Sequence, residues 1–154
     1  MTIREVTRKD VPSLVAIYKE YSPSDAEIIQ NVYTKYYSSQ KKNHFIKDFV
    51  YLDGDLIVGF SGFHKEETET KDIFWLNWTA VRKGYQRSGI ARQLLNHMMQ
   101  EIRALGGRKV YVSTESTNLV ACQVYLAMGF TQEAVLVDYY EDGVDSIIFS
   151  QNSK

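Results

Sequence analysis

The chain has 154 residues, of which 44% are hydrophobic, so it is long enough to bury one sizeable core. Its 18 Lys and Arg residues nearly balance 19 Asp and Glu residues, and the formal net charge of -1 gives no general attraction to nucleic acid or to a membrane surface. A lone cysteine excludes an internal disulfide, and the chain has neither a signal-peptide core nor a run of ~18 apolar residues, which predicts one soluble, cytoplasmic domain over residues 1–154.

The pattern of apolar residues predicts a domain that mixes strands and helices. Thr7 and Asp10 have the spacing of a capping box, Ser24 is expected to cap a second helix, and Asp53-Gly54 is typical of a hairpin turn. In chain order the predicted elements are a strand at 2–6, helices around 11–18 and 25–37, strands at 45–52, 56–63 and 73–81, a helix at 88–105, a strand at 109–114, a helix at 118–128, and strands at 134–140 and 145–150.

The segment 86–91 joins a predicted strand directly to the most regular helix of the chain. The first turn of a helix has backbone N–H groups without internal partners, and its dipole favours negative charge. Gly89 and Ala91 keep side chains small there, so a phosphate group can approach the backbone. Charge-assisted hydrogen bonds of roughly 1.5–3 kcal/mol each could come from Lys83, Arg87 and Arg92. An ordinary tight turn explains the same residues, so the loop alone leaves both interpretations open.

Other phosphate and metal sites do not fit the sequence. The chain has no G-x-x-x-x-G-K-S/T and no G-x-G-x-x-G after a strand, so it lacks the motifs of nucleotide triphosphatases and dinucleotide dehydrogenases. Its three histidines, His44, His64 and His97, are scattered without metal-ligand spacing, which argues against a metal site.

Two motifs together resemble the GNAT superfamily of N-acetyltransferases, in the form of a small single-domain bacterial-type member. Residues 81–95 (VRKGYQRSGIARQLL) are similar to its acetyl-CoA-binding motif, Q/R-x-x-G-x-G/A. A second family pattern, N-x-x-A-x-x-x-Y-x-x-x-G-F, is matched by Asn118, Ala121, Tyr125, Gly129 and Phe130. The predicted order of elements is also the family's order, so the resemblance covers nearly the whole chain.

The resemblance implies an α/β (α+β) fold of three layers, with a central mixed, mostly antiparallel sheet of about seven strands flanked by about four helices. The sheet is expected to splay between its fourth and fifth strands, here 73–81 and 109–114, and the pantetheine arm of acetyl-CoA would lie in that gap. The backbone N–H of Val81 would polarise the thioester carbonyl. The implied cofactor-binding residues are Thr79, Val81, Gln86, Arg87, Ser88, Gly89, Ile90, Ala91, Arg92 and Asn118.

The resemblance also assigns the catalytic acid. Tyr125 matches the residue that protonates the departing CoA thiolate, and a phenol with a pKa near ~10 stays protonated at neutral pH while a thiol near ~8.5 is a fair leaving group. Taken without the motif, Tyr125 is better explained as a core aromatic residue, and the surrounding pattern reverses that preference. Asn118 is expected to cap the helix of Tyr125 and to touch the pantetheine.

The general base assigned here is at a different position from the one that the family uses. Many relatives carry Glu at the position of Asn77, but an amide cannot accept a proton. Glu115, just beyond the strand at 109–114, is the replacement candidate, and an exposed surface carboxylate is the alternative interpretation. An acceptor that arrives neutral would need no base.

The sequence therefore predicts an enzyme that transfers the acetyl group of acetyl-CoA, without a metal, to a primary amine of a small molecule. A CoA-binding sensor without turnover and a protein N-terminal acetyltransferase are the alternatives. A homodimer is left open, because residues 139–143 could form either an acceptor pocket or a dimer edge. The acidic residues Glu66, Glu67 and Glu69 could attract a cationic amine substrate, but a solvated loop is the preferred interpretation.

Overall fold

The computed structural model describes residues 2–38, 45–65 and 72–153, so His44 and the acidic residues between 66 and 69 lie outside the described residues. Among the described residues, no helix is long and apolar enough to cross a membrane. The elements are β1 (Thr2–Glu5), α1 (Val11–Lys19), α2 (Pro23–Ser38), β2 (Phe45–Asp53), β3 (Leu56–Lys65), β4 (Ile73–Leu76), β5 (Ala80–Val81), α3 (Ile90–Ala104), β6 (Lys109–Glu115), α4 (Leu119–Ala127), β7 (Thr131–Glu141) and β8 (Val144–Asn152).

The strands form one mixed sheet in the order β1-β2-β3-β4-β6-β8-β7, with the short β5 also paired to β3. Among the described pairs only β4 and β6 run parallel, and the others are antiparallel. The predicted fold class, a mostly antiparallel mixed sheet with four flanking helices, is therefore confirmed.

Both faces of the sheet are covered, because alternate residues of a strand point to opposite sides. In β2, Phe49 belongs to a buried cluster that includes apolar residues of α3. Its neighbour Val50 belongs to a different cluster, which includes apolar residues of α1 and α2. The period of four predicted for α3 is confirmed by four fully or nearly fully buried side chains, Ile90, Leu94, Met98 and Ile102.

The strand predicted at 73–81 is wrong as a continuous element, and the correction creates the cleft described below. β4 ends at Leu76, which pairs with Phe63 of β3, and β5 begins at Ala80, which pairs with Phe60 of β3. The three residues 77–79 thus lie opposite only two residues of β3. This arrangement is a β-bulge, which bends the strand that contains it. Pairing between β4 and β6 stops at Trp75 and Tyr111, so the two strands separate beyond this point.

Three smaller predictions are displaced by one or two residues. The hairpin turn lies at Gly54-Asp55, because Asp53 still pairs with Leu56. α2 begins at Pro23, and the hydroxyl of Ser22, not of Ser24, accepts the Asp25 N–H at 3.3 Å. α3 begins at Ile90 and not at 88, since the residue before it has a left-handed conformation.

Candidate active site

A cleft of about 1200 Å³ opens where β4 and β6 separate. Its floor is formed by the bulge at 77–79 and by β6 at 112–115. Its walls come from the end of α1 and the start of α2, from α4, and from the outer halves of β7 and β8. The predicted gap between the fourth and fifth strands of the sequence is therefore present.

The N-terminus of α3 is exposed beside this region. Gly89 precedes the helix with φ of +83°, which favours glycine, and an added Cβ there would meet no heavy atom within 4 Å. The Gln93 N–H makes the first helical bond, to the Gly89 carbonyl at 3.0 Å. The N–H groups of Ile90, Ala91 and Arg92 therefore have no partner within the helix and face the turn.

The remaining predicted loop residues divide into two groups. Arg87 and Ser88 are exposed; Arg87 has φ of +59°, and the Ser88 hydroxyl donates to a carbonyl of the preceding turn. The side chain of Gln86 instead donates to the Tyr21 hydroxyl at 2.6 Å and to the Val81 carbonyl at 3.3 Å. Gln86 thus faces β5 in this structure and not the helix N-terminus.

The free edge of β5 has a partner that the sequence did not predict. The Val81 N–H donates to the Tyr21 hydroxyl at 3.2 Å, and the same hydroxyl donates to the Val81 carbonyl. Tyr21 lies in the α1–α2 turn and lines the cleft. Because the other edge of β5 pairs with β3, the Val81 N–H is directed toward the gap, where it can donate to an oxygen.

Tyr125 lies in α4 with its ring in the core and lines the same cleft. The side chain is 7% exposed and packs against Phe130 and Phe149, each at 5.8 Å between ring centroids. Burial, with a smaller contribution from Cys122, raises the pKa of Tyr125 to about 12. Its hydroxyl makes no hydrogen bond within the described residues, so it is a protonated donor available to a ligand in the cleft.

The other predicted site residues also line the cleft. Asn118 caps α4, as predicted, by accepting the Ala121 N–H at 3.1 Å. Thr79 contacts the hydroxyl of buried Ser61 at 2.8 Å. Glu115 is exposed at the end of β6, and its carboxylate accepts from the Thr117 hydroxyl at 3.3 Å.

Asn77, on the cleft floor, is held by a buried network. Its Nδ2 donates to Asp48 at 3.2 Å, so its Oδ1 accepts from His64 Nδ1. Asp48 also accepts from the Tyr33 hydroxyl at 2.7 Å. Burial raises the pKa of Asp48 to about 6, although both donors and His64 act in the opposite direction. Gly62 makes room, because a Cβ there would lie 1.7 Å from the Asp48 carboxylate.

Sequence reasoning missed Tyr21 and Asp48 for different reasons. Asp48 lies two residues before buried Val50 in β2, so both side chains point to the same face of the sheet. A charged residue at such an inward position could have been recognised from the sequence. Tyr21 carries no such signal, since it lies in an irregular turn and its partner, Val81, is 60 residues away.

These groups lie around one space and suit an acyl transfer. The cleft presents a backbone N–H that can stabilise charge on a carbonyl oxygen, a protonated phenol that can serve as an acid, and a carboxylate that can accept a proton. The exposed turn before α3 adds backbone N–H groups suited to an anion. No group of His, Cys, Asp and Glu able to hold a metal ion occurs within the described ranges.

Comparisons with known proteins identify the family of this chain. The family model described as "Acetyltransferase (GNAT) family" matches residues 11–130. N-alpha-acetyltransferase 30 of Schizosaccharomyces pombe is 26% identical over 87% of this chain and 93% of that protein. The ribosomal protein bS18-alanine N-acetyltransferase of Escherichia coli is 31% identical, but the match spans only 40% of this chain and 41% of that protein.

Solved structures share the fold over the whole chain. A GNAT-family protein from Desulfovibrio desulfuricans has a TM-score of 0.91 at 23% identity and covers 99% of both chains. An aminoglycoside 6'-N-acetyltransferase complexed with coenzyme A has a TM-score of 0.83 at 16% identity and covers 100% of this chain and 98% of that one.

Proposed function

Because this chain belongs to the acetyltransferase (GNAT) family, we propose that it transfers an acetyl group from acetyl-CoA to a primary amine of a small molecule. The observation that carries the proposal is the position of Tyr125, whose mostly buried side chain has an unpartnered hydroxyl and lines the same cleft as Ala80 of β5. An acid and an N–H donor for a carbonyl oxygen are therefore available to one ligand.

The residues present fit acetyl-CoA. The exposed turn at Gly89 has space and helical N–H groups for the pyrophosphate, and Arg87 and Arg92 are exposed beside it. The strand edge at Val81 offers both an N–H and a carbonyl to an extended pantetheine arm. Asn118 at the start of α4 lies on the opposite wall.

The proposed reaction assigns each proton to a residue. Acetyl-CoA supplies the acetyl carbon; a C–N bond to the amine forms there and the C–S bond breaks. The Val81 N–H stabilises negative charge on the carbonyl oxygen, and Tyr125 gives its proton to the sulfur. Glu115 accepts the amine proton directly or through water. This base matters because neutralising an alkylammonium at pH 7 costs about 4–5 kcal/mol.

The test is release of free thiol from acetyl-CoA across a panel of amines, with hydrolysis in the absence of amine subtracted. Turnover with a small primary amine supports the proposal. Firm CoA binding without turnover of any amine or peptide would instead make the chain a CoA sensor.

Acetylation of a protein N-terminus is a second candidate, which the S. pombe relative favours through its name and its coverage of 93% of that protein. Its test uses peptides with a free α-amine in the same assay. Peptide turnover that exceeds the best small amine by tenfold or more in kcat/KM would replace the small-molecule proposal. A homodimer stays a prediction, which light scattering of the purified chain would measure.

A further inference from the structure

Three carboxylates from separate segments line the cleft. Asp25 lies in the first turn of α2, Glu115 at the end of β6 and Glu141 at the end of β7. Within the described residues, the lining contains no Lys, Arg or His. The cleft therefore carries a formal charge of about -3 in a chain whose net charge is only -1.

None of these carboxylates has a cationic partner in the described part of the chain. Five acidic side chains outside the cleft do have a cationic partner: Asp10 with Arg4 at 2.7 Å, Glu20 with Arg82 at 3.2 Å, Asp72 with Arg108 at 2.8 Å, Glu101 with Lys47 at 2.5 Å and Glu133 with Lys109 at 2.7 Å. The negative charge of the cleft is thus left for a ligand.

Two of the three carboxylates, Asp25 and Glu115, act on the same side chain. The pKa of Tyr18, on the cleft wall, is raised first by burial and then by the charges of Asp25, Tyr125, Tyr21 and Glu115. Asp25 and Glu115 are therefore close enough to Tyr18 to influence its ionisation, although they come from α2 and β6. The acid of the proposed reaction, Tyr125, lies within the same range.

Tyr125 is an independent sign that a ligand occupies this space. Its side chain is more than nine-tenths buried, lines the cleft and has no hydrogen-bond partner among the described residues. Its hydroxyl is open to the cleft, where a ligand can make a hydrogen bond with it.

Aromatic rings complete the lining. Tyr18 and Trp78 meet edge to face at 5.7 Å, and Tyr139 and Tyr140 do so at 5.0 Å. Tyr139 and Tyr140 lie in a large bulge of β7. Leu136 pairs with Ser146 and Glu141 pairs with Val144, so four residues of β7 lie opposite one residue of β8. Ring faces attract ammonium groups, and the rings also pack against aliphatic chains.

We propose that the acceptor is a diamine or polyamine: besides the amine that is acetylated, it carries at least one further ammonium group on an aliphatic chain, held by Asp25 and Glu141. This rests on the proposed function. The reacting nitrogen must lose its charge before it attacks, so carboxylates that only held that nitrogen would lose their attraction in the transition state. A second ammonium keeps its charge throughout the reaction and keeps the acceptor in place.

The experiment compares acceptors of equal chain length that differ only at the far end. Thiol release is measured with 1,4-diaminobutane, 1-aminobutane and 4-aminobutanoate, whose far ends carry charges of about +1, 0 and -1 at pH 7. We expect kcat/KM to be at least about tenfold higher for the diamine than for the monoamine, with the amino acid lowest. Equal or greater kcat/KM for the monoamine overturns the inference but leaves the acetyltransferase intact. No turnover of any amine or peptide would instead reject the proposed function.

Two variants test which residues hold the second charge. Asp25→Asn and Glu141→Gln should each lower the diamine-to-monoamine ratio of kcat/KM about three- to tenfold, because each removes a charge that attracts the second ammonium group. Glu27→Gln is the matched control, since Glu27 is an exposed carboxylate on the same helix as Asp25 that does not line the cleft. An unchanged ratio in both cleft variants, or an equal loss in the control, would overturn the assignment.

Binding of 1,4-diaminobutane to the enzyme with CoA, measured by calorimetry, gives a readout that does not depend on turnover. Affinity should fall as salt rises from 0.05 to 0.5 M and should fall in Asp25→Asn, because both changes weaken the charge attraction. Salt-independent binding, or a preference for a basic peptide over the diamine, would contradict the inference.

Discussion

The two ends of the candidate site, the helix N-terminus with the edge of β5 and the cleft beside them, are built in different ways. The end assigned to CoA consists mainly of backbone groups: the N–H groups that follow Gly89 and the strand edge at Val81. The end assigned to the acceptor consists of side chains, with Asp25, Glu115 and Glu141 contributed by segments far apart in sequence.

This difference explains what each end can specify. Backbone N–H groups at a helix N-terminus bind any phosphate that fits, so they require only small residues and a fixed turn. Side chains from three segments set charge and shape together, so their replacement changes the substrate without disturbing the cofactor site. The predictions below test this separation, beginning with the largest expected effect.

Gly89→Glu should remove CoA binding almost completely. The new carboxylate would fill the space over the turn and repel the pyrophosphate, and the loss of two charge-assisted bonds corresponds to a weakening of about a thousandfold or more. The measurement is the Kd for CoA. Gly106→Glu is the matched control, because Gly106 also has a positive φ, +78°, and open space around it, but follows the far end of α3. Normal CoA affinity in Gly89→Glu would reject the loop as the pyrophosphate site.

Tyr125→Phe should lower kcat by roughly 10²- to 10³-fold with little change in the KM for acetyl-CoA, because it removes a proton donor and leaves the packed ring in place. The melting temperature of the variant should equal that of the wild type, since the Tyr125 hydroxyl has no hydrogen-bond partner among the described residues. Tyr111→Phe serves as control, as its ring stacks on Trp75 and its hydroxyl contacts Glu133 outside the cleft. An unchanged kcat would remove Tyr125 from the mechanism.

The sequence predicted the local structure of the backbone-built end well because its signals are local. Gly89 and Ala91 have a fixed spacing before a helix of regular period, and Asn118 precedes its helix at capping distance. The break at 77–79 was not predicted, because its apolar residues continue the strand pattern and only pairing with β3 shows that three residues lie opposite two.

The side-chain end was predicted only in part, because its members meet through tertiary structure. Glu115 was found through its place after a strand, whereas Asp25 and Tyr21 come from helix and turn residues that no local pattern connects to β6. The residues 139–143 were left with two interpretations, and the bulge of β7 places Tyr139 and Tyr140 on the cleft.

Asp48, which supports Asn77 between the two ends, should leave a pH signature. Its pKa is raised by burial to about 6, above the ordinary 3.8 of the unfolded chain, so the folded state holds an extra proton between these values. Unfolding releases that proton. The free energy of unfolding should therefore fall by roughly 2–3 kcal/mol as pH rises from 4 to 7.

Asp48→Asn isolates this contribution, because the amide has nearly the same shape and no charge. Denaturant unfolding at pH 4, 5, 6 and 7 should show that the stability of the variant relative to wild type increases with pH. Asp10, whose pKa is lowered to about 2 chiefly by Arg4, acts in the opposite direction at lower pH and is common to both proteins. Asp53→Asn, on the exposed hairpin of the same strand, should show no such trend. A parallel pair of curves for wild type and Asp48→Asn would contradict the burial argument.

Tyr21→Phe gives the smallest expected effect and examines the point where the two ends meet. The Tyr21 hydroxyl bonds to both polar groups of Val81 and accepts from Gln86, so a pantetheine arm that pairs with Val81 must displace it. Removing one competing hydrogen bond of about 1 kcal/mol should lower the KM for acetyl-CoA about fivefold and leave kcat unchanged. Phe keeps the ring beside Tyr18, so the wall of the acceptor end is preserved. If kcat falls instead and the KM for acetyl-CoA does not change, Tyr21 takes part in the reaction itself. The backbone-built end would then depend on a side chain from the wall of the acceptor end.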